Sequence, residues 1–275
     1  MALSFNDQRK KGTLVIDALN LAFRWKHQGR TDFRYDYQKT VQSLADSYKC
    51  DRVVITADGG SSDYRRNIRE DYKGNRKEKY ATQTEEEKIA FEEFFEEYKC
   101  TLEVSAVDRV WTVLQFAGVE ADDIAAHLVK NKDAYGLDNV WLISSDRDWD
   151  LLIQEGVSRF SYVNRKEVTI DNWSDHYEVT PEEFISLKCL TGDKGDNVPG
   201  IPGIGPKRAL TLIKEYGDAF SIYDAAPIPG KYKYIESLNE NYEQILQNYE
   251  LMDLVTYCDD AIGEQNIAKI KDKFI

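Results

Sequence analysis

Nine carboxylates in this sequence fall where local pattern puts a side chain at the edge of a fold. Three short apolar runs end on aspartate: TLVID at Asp17, VVITAD at Asp58, and VWLISSDRD at Asp146 and Asp148. Each is rich in Val, Ile or Leu and bounded by polar residues, which predicts a strand buried on both faces. A fourth source, VEADDIAAHLVK, puts Glu120, Asp122 and Asp123 at the start of a helix striped by Val119, Ile124, Leu128 and Val129. Helix capping explains one acid there. Three acids in four residues ask for more. Asp193 and Asp196, inside TGDKGDNVPGIPGIGPKRA (191–209), complete the set. So many anions in one crevice repel, and a hard divalent cation is the simplest remedy. Oxygen donors without His or Cys suit Mg²⁺, with Mn²⁺ as a substitute.

Basic residues are segregated elsewhere. YRRNIREDYKGNRKEKY (64–80) carries seven Lys or Arg against three acids, with Tyr64, Tyr72 and Tyr80 interleaved. Cations for phosphates and rings for stacking are the ingredients of single-strand binding; a solvated basic helix with core tyrosines is the bland alternative. The run follows the strand ending in Asp58, so it starts at the rim of the acidic edge. In the 191–209 stretch, Gly203-Ile204-Gly205 lets the backbone approach another surface closely. Lys207 and Arg208 then sit in the first turn of a helix, where they oppose its dipole. An anion docked there reverses that penalty, and a DNA phosphate fits.

The elements that must carry these groups alternate. Helices at about 36–49, 84–105 and 121–132 separate the strands, which predicts a parallel α/β sheet flanked by helices. Ligands of such sheets bind beyond the carboxyl ends of the strands, where the aspartates converge. Thr84 and Glu87 form a capping box for a helix whose apolar face, Phe91, Phe94, Phe95 and Tyr98, reads as core. Thr180, Pro181 and Glu183 open another helix, which buries Phe184, Leu187 and Leu190 and stops at Gly192. A further helix runs from Pro206 to Tyr216. The division expected is a core over 1–180 and a helical region over 181–275, packed as one unit.

Composition agrees with a soluble globular chain: 275 residues, 42% apolar and 31% charged. The net charge of −13 argues against a nucleic-acid partner only if it is evenly spread, and setting the nine acids aside leaves −4. Cys50, Cys100, Cys189 and Cys258 form no C-x-x-C pair, so reduced thiols in a cytoplasmic protein are expected. MALSFNDQRKKG lacks a signal peptide's apolar core, and no run is long enough to span a bilayer. No membrane role is expected.

GDKGDN followed at once by VPGIPGIGPKRA resembles the signature of the 5′-nuclease, or flap endonuclease, superfamily. DYKGNR (71–76), GVEADD (118–123), SSDRDWD (144–150) and PGKYKY (229–234) are most similar to the stand-alone bacteriophage members. The resemblance spans roughly residues 13–258. It implies a Mg²⁺-dependent, two-metal-ion phosphodiesterase of DNA replication or repair, acting as a monomer on 5′ flaps and free 5′ ends and leaving 5′-phosphate and 3′-hydroxyl products. One metal group would comprise Asp17, Asp58, Glu120 and Asp122, and the other Asp146, Asp148, Asp193 and Asp196; Asp123 is a metal candidate assigned to neither.

The resemblance also implies a helical arch over about 64–105, with Lys73 and Arg76 at its foot near the scissile phosphate and Tyr72 stacking on the reacting nucleotide. A helix–hairpin–helix over about 181–216 would grip duplex phosphates through Gly203, Gly205, Lys207 and Arg208, with a monovalent cation bound at the hairpin. Lys231 would guide single-stranded DNA, and Arg24 and Lys188 join the DNA-contact candidates. Arg208 stands where many relatives have Thr, and Arg147 where phage relatives often have Gly. Asp150 reads as facing solvent, and His27, His127 and His176 as structural. If the gene is phage-borne, the cytoplasm is that of a bacterial host; no polymerase partner can be named. Two rivals remain: an inactive structure-specific DNA clamp, and a PIN-type ribonuclease.

Overall fold

The computed structural model describes residues 12–275, without the side chains of 77–79 and 81. The N-terminal segment read against a signal peptide, and the Lys77 and Lys79 side chains of the basic run, lie outside the described residues. Strand β1 (Gly12–Asp17) is buried along its whole length and pairs in parallel with β2 (Cys50–Ala57) on one side. Between them run α1 (Ala18–Lys26) and α2 (Arg34–Ser47). After β2 come α3 (Asp63–Ile68), α4 (Gly74–Ala81) and the long α5 (Glu85–Asp108), then β3 (Thr112–Gln115), parallel to β2. Helix α6 (Ala121–Lys130) leads to β4 (Val140–Ile143), which pairs in parallel on the other side of β1.

A 3₁₀ turn (Arg147–Leu152) precedes β5 (Val157–Ser161), parallel to β4, and β6 (Lys166–Val168) closes the edge antiparallel. The sheet order is β3-β2-β1-β4-β5-β6. The order reverses at β1, so the crevice beyond β1, β2 and β4 is where a ligand binds in such sheets.

Alternation along β1 splits the core into two layers. Leu14 and Ile16 face α1, α2 and α5, packing with Trp25, Phe33, Tyr37 and Phe94. Val15 faces α6, packing with Ile124, Leu128 and Trp149. Burying each such large side chain stabilises the fold by about 1.5–3 kcal/mol.

The rest is helical after a second 3₁₀ turn (Trp173–Asp175). Helix α7 (Pro181–Thr191) opens on the expected capping box of Thr180 and Glu183. Strands β7 (Gly192–Asp193) and β8 (Val198–Pro199) pair antiparallel and pin the GDKGDN loop at its root. Gly192 has φ 71°, and a Cβ there would lie 2.2 Å from the Gly200 nitrogen, so only glycine allows these backbones to cross. Then follow α8 (Pro206–Tyr216), α9 (Ala219–Ala225), α10 (Lys233–Asn241), α11 (Glu243–Met252), α12 (Leu254–Ile262) and α13 (Glu264–Phe274). Helix α12 returns to pack beside α6, Leu254, Cys258 and Ile262 joining the second core layer.

The predicted helices appear within a few residues of their expected bounds. Three strands of the main sheet, β3, β5 and β6, and the two-residue β7 and β8 carry no sequence signal, and VWLISSDRD is strand only through Ile143. No helix among the described residues is long and apolar enough to cross a membrane.

Candidate active site

Each acid reaches the crevice for a local reason. Asp17 ends β1 and caps α1, its Oδ1 accepting from the Asn20 N–H at 3.2 Å. Asp58 follows β2 and accepts from the Ala121 N–H at 2.8 Å, tying the strand end to the start of α6. Asp146 caps the 3₁₀ turn that carries Asp148. Asp193 and Asp196 hang on the β7–β8 hairpin, where Asp193 accepts from the Gly195 N–H at 2.7 Å.

These carboxylates form one continuous strip. Burial pushes Asp17 up to about 8, with Asp58 and Asp146 adding repulsion. Asp146 is exposed at the rim, yet the crowding that strips water from its carboxyl raises it to about 6, and Asp148 adds to it. Asp122 is held well above the ordinary carboxylate range by burial despite Lys73 nearby. Burial also raises Asp58 and Asp196. Glu120 bridges the strip: burial favours its neutral form, but Lys73 and Arg65 outweigh that and hold it below its usual value. The Tyr72 hydroxyl lies 3.2 Å from Glu120 and 3.0 Å from Asp196, and Lys73 donates to Glu120 at 2.8 Å. Arg76 donates to Asp196 at 3.0 Å.

Two cavities of about 550 and 580 Å³ meet over this strip and share Asp58, Lys73, Arg76 and Tyr80. One reaches Asp17, Asp122 and Asp146; the other runs under α5 against Phe91, Phe95 and Tyr98. Phe94 and Tyr98 are core as expected, whereas Phe91 and Phe95 are half-exposed cavity wall. Tyr80, 43% exposed, packs on Phe91.

Several expected roles are corrected. Asp123 faces away from the strip, fully buried, in a two-pronged pair with Arg65 at 2.7 and 2.8 Å, so its oxygens are not offered to a metal. Asp150 does not face solvent: it is 1% exposed, accepts from Arg159 at 2.5 and 2.8 Å, and takes the Tyr177 hydroxyl. Tyr72 is 3% exposed and holds two carboxylates, so its ring is not presented for stacking. Lys188 is not on a DNA-facing surface; its ammonium is bound to Asp148 at 2.5 Å and Asp193 at 3.1 Å.

The remaining candidates lie on the surface. Arg24 lines a cavity of about 360 Å³ with Asn20, Tyr162 and Arg165, beside Ser145. Gly203 turns the hairpin with φ 79°, and Gly205 caps α8 in extended backbone without a side-chain cap. Lys207 is exposed there. Arg208 folds back, donating to the Gly203 carbonyl at 2.5 Å with its guanidinium over the Tyr234 ring, so it braces the hairpin. Exposed Lys231 belongs to a segment whose Tyr234 packs on the hairpin at Gly203 and Arg208. His127 is structural, bonded to Asp259 at 2.6 Å and Tyr135 at 2.7 Å.

Four supporting residues had no sequence signal of their own. Ser144 donates to Asp17 at 2.7 Å and accepts the Asp146 N–H at 3.0 Å. Trp149 donates to Asp122 at 2.6 Å, Arg65 holds Asp123, and Arg159 donates to the Ser144 carbonyl at 3.0 Å. A serine between a strand and an acid, as in ISSD, is the one clue the chain offers.

The donor set suits a hard divalent cation: oxygen donors only, several of them raised by mutual repulsion and burial. As placed, no three His, Cys, Asp or Glu side chains among the described residues close round one point. Lys73, Lys188, Ser144 and Trp149 take up carboxylate oxygens instead.

Known proteins share this sequence pattern and fold. Residues 12–182 match the model of the 5′-3′ exonuclease N-terminal resolvase-like domain, and 179–272 that of its C-terminal SAM fold. The chain belongs to the 5′-3′ exonuclease family. It is 43% identical over 267 residues to the flap endonuclease of Escherichia phage T5, covering 96% of this chain and 90% of that one. A crystal structure of that phage enzyme, a pseudo-enzyme–product complex with DNA and metal ions, superposes with a TM-score of 0.90 at 42% identity, covering 96% of this chain and 98% of that one. Flap endonuclease Xni of Shewanella woodyi is 28% identical over 251 residues, covering 88% and 92%. The protein is thus a structure-specific 5′ nuclease of this family. The inactive-clamp reading expects missing carboxylates, and eight of the nine candidates keep their place; the ribonuclease reading leaves the hairpin unexplained.

Proposed function

We propose that the protein hydrolyses DNA phosphodiester bonds near single-strand/duplex junctions, cutting 5′ flaps and free 5′ ends to leave 5′-phosphate and 3′-hydroxyl products. The observation that carries this reading is that Asp17, Asp58, Glu120, Asp122 and Asp146 line two cavities walled by Lys73, Arg76 and Tyr80. Two Mg²⁺ ions held by Asp17, Asp58, Glu120 and Asp122 and by Asp146, Asp148, Asp193 and Asp196 would activate a water and neutralise charge at the phosphate. Mn²⁺ is the natural substitute. The metal-bound DNA complex of the 42%-identical phage enzyme supports this.

The chain's own groups do the rest. Lys73 and Arg76 stabilise charge building on the phosphate as electrostatic donors, not proton carriers. Burial works against the Lys73 ammonium, but Glu120 and Asp196 hold it above the ordinary lysine value, so it stays charged. Lys207 and the backbone N–H groups opening α8 hold a duplex phosphate away from the cut. The hairpin would also seat a monovalent cation.

Residues of the 64–105 segment wall both cavities, and a free 5′ end would pass beneath that segment. Purified protein with Mg²⁺ should cleave a 5′-flapped duplex, and Asp148→Asn should abolish cutting while sparing DNA binding. Undiminished turnover by that variant, or cleavage of RNA only, would reject the reading.

A further inference from the structure

We propose that Lys188 stands in for the second divalent ion: its ammonium holds Asp148 and Asp193 together in the metal-free protein and must be displaced before an ion binds there. The inference rests on the two-ion reading above.

The carboxylates divide by their cations. Asp148 and Asp193 are paired with Lys188 at 2.5 and 3.1 Å, and Glu120 and Asp196 with Lys73 or Arg76. Among the described residues, no Lys, Arg or His side chain is in ion-pair range of Asp17, Asp58, Asp122 or Asp146. An ion arriving at that group therefore displaces no described ammonium or guanidinium from its oxygens, while one arriving beside Asp148 meets an ammonium already seated. An ion and the ammonium compete for these oxygens, because like charges at such distances repel.

The seat is built rather than incidental. Lys188 lies in the last turn of α7, a helix fixed by its capping box and by Phe184, Cys189 and Leu190 in the core. Its side chain is 11% exposed, so the ammonium is held against the two acids rather than waving in solvent. Both partners lie on short, independently anchored loops: Asp148 on the 3₁₀ turn, Asp193 on the β7–β8 hairpin. The ammonium thus bridges loops that an ion would otherwise have to bring together. Four methylenes and three rotatable donors let it leave without moving the helix.

The test uses the DNA-free, full-length protein and Mn²⁺ alone, with bound and free ion counted by calorimetry and electron paramagnetic resonance. Wild type should bind one ion tightly and a second at least about tenfold more weakly. Lys188→Met should keep the same stoichiometry but tighten the second ion by about tenfold or more, and Lys188→Arg should stay like wild type. Because the Met variant leaves two acids unpaired, its melting is followed in parallel: Mn²⁺ should raise its Tm by more than it raises that of wild type. Equal affinities in wild type, an unchanged or weaker second ion in Lys188→Met, or an equal Tm gain overturns the proposal while leaving the two-ion reading standing. No Mn²⁺ bound by either protein overturns both.

Discussion

The Ser144 hydroxyl donates to Asp17 Oδ2 across 2.7 Å and takes the Asp146 N–H on its other side at 3.0 Å. One buried hydroxyl thereby fixes the spacing of carboxylates from two strands. Ser144→Ala should cost about 1 kcal/mol, because the part-buried Asp146 N–H and the Asp17 carboxyl each lose a hydrogen bond. It should also lower kcat more than it raises KM, since Asp17 loses its orienting donor. Urea unfolding and steady-state kinetics on a flap substrate would check both, and wild-type values in each would remove Ser144 from the site.

Asp123 and Arg65 should behave as a structural pair. Asp123→Asn leaves the guanidinium buried and is expected to lose about 3–5 kcal/mol, whereas the double change Asp123→Leu with Arg65→Met should recover much of it. The number of Mn²⁺ ions bound should not change in either protein. Loss of an ion in the double variant would return Asp123 to the metal site.

The metal-free protein should become less stable as pH rises from about 4 to 8. Asp17 and Asp146 are raised from 3.8 to about 8 and about 6, chiefly by desolvation. Above 3.8 the unfolded chain has released these protons while the folded chain keeps them. The stabilisation is full below that value and is lost as pH climbs through the folded ones. Mg²⁺ or Mn²⁺ should reverse the trend, and chelation should restore it. Melting temperatures at successive pH values, with and without Mg²⁺, would show it; a flat metal-free profile over this range would contradict the assigned protonation.

Lys207→Ala should weaken duplex binding uniformly across sequences and lower the salt-dependence slope by about one unit. Single-turnover cleavage at saturating enzyme should be nearly unchanged. A large loss of the chemical rate would place Lys207 at the cut and not at the grip.

Sequence alone determined which groups take part and on what elements. Strand-end aspartates, the capping boxes at Thr84 and Thr180, and the hairpin before Pro206 are local patterns, and local patterns survive folding because they are set by backbone geometry. The resemblance carried by GDKGDN and its companion motifs determined the family in the same way.

Tertiary structure decided which way each side chain points. Asp122 and Asp123 are neighbours on α6 about 100° apart, so one enters the strip and the other meets Arg65 from α3. Asp148 and Asp150 differ likewise: one meets Lys188, the other is sealed against Arg159 from β5. Tyr72 and Lys188 were DNA-contact candidates, yet Tyr72 is claimed by Asp196, 124 residues on, and Lys188 by Asp148, 40 residues back, as well as by nearby Asp193. Partners that distant leave no periodic trace in the chain. In a low-dielectric crevice they nonetheless decide whether a carboxylate is bare, paired or protonated.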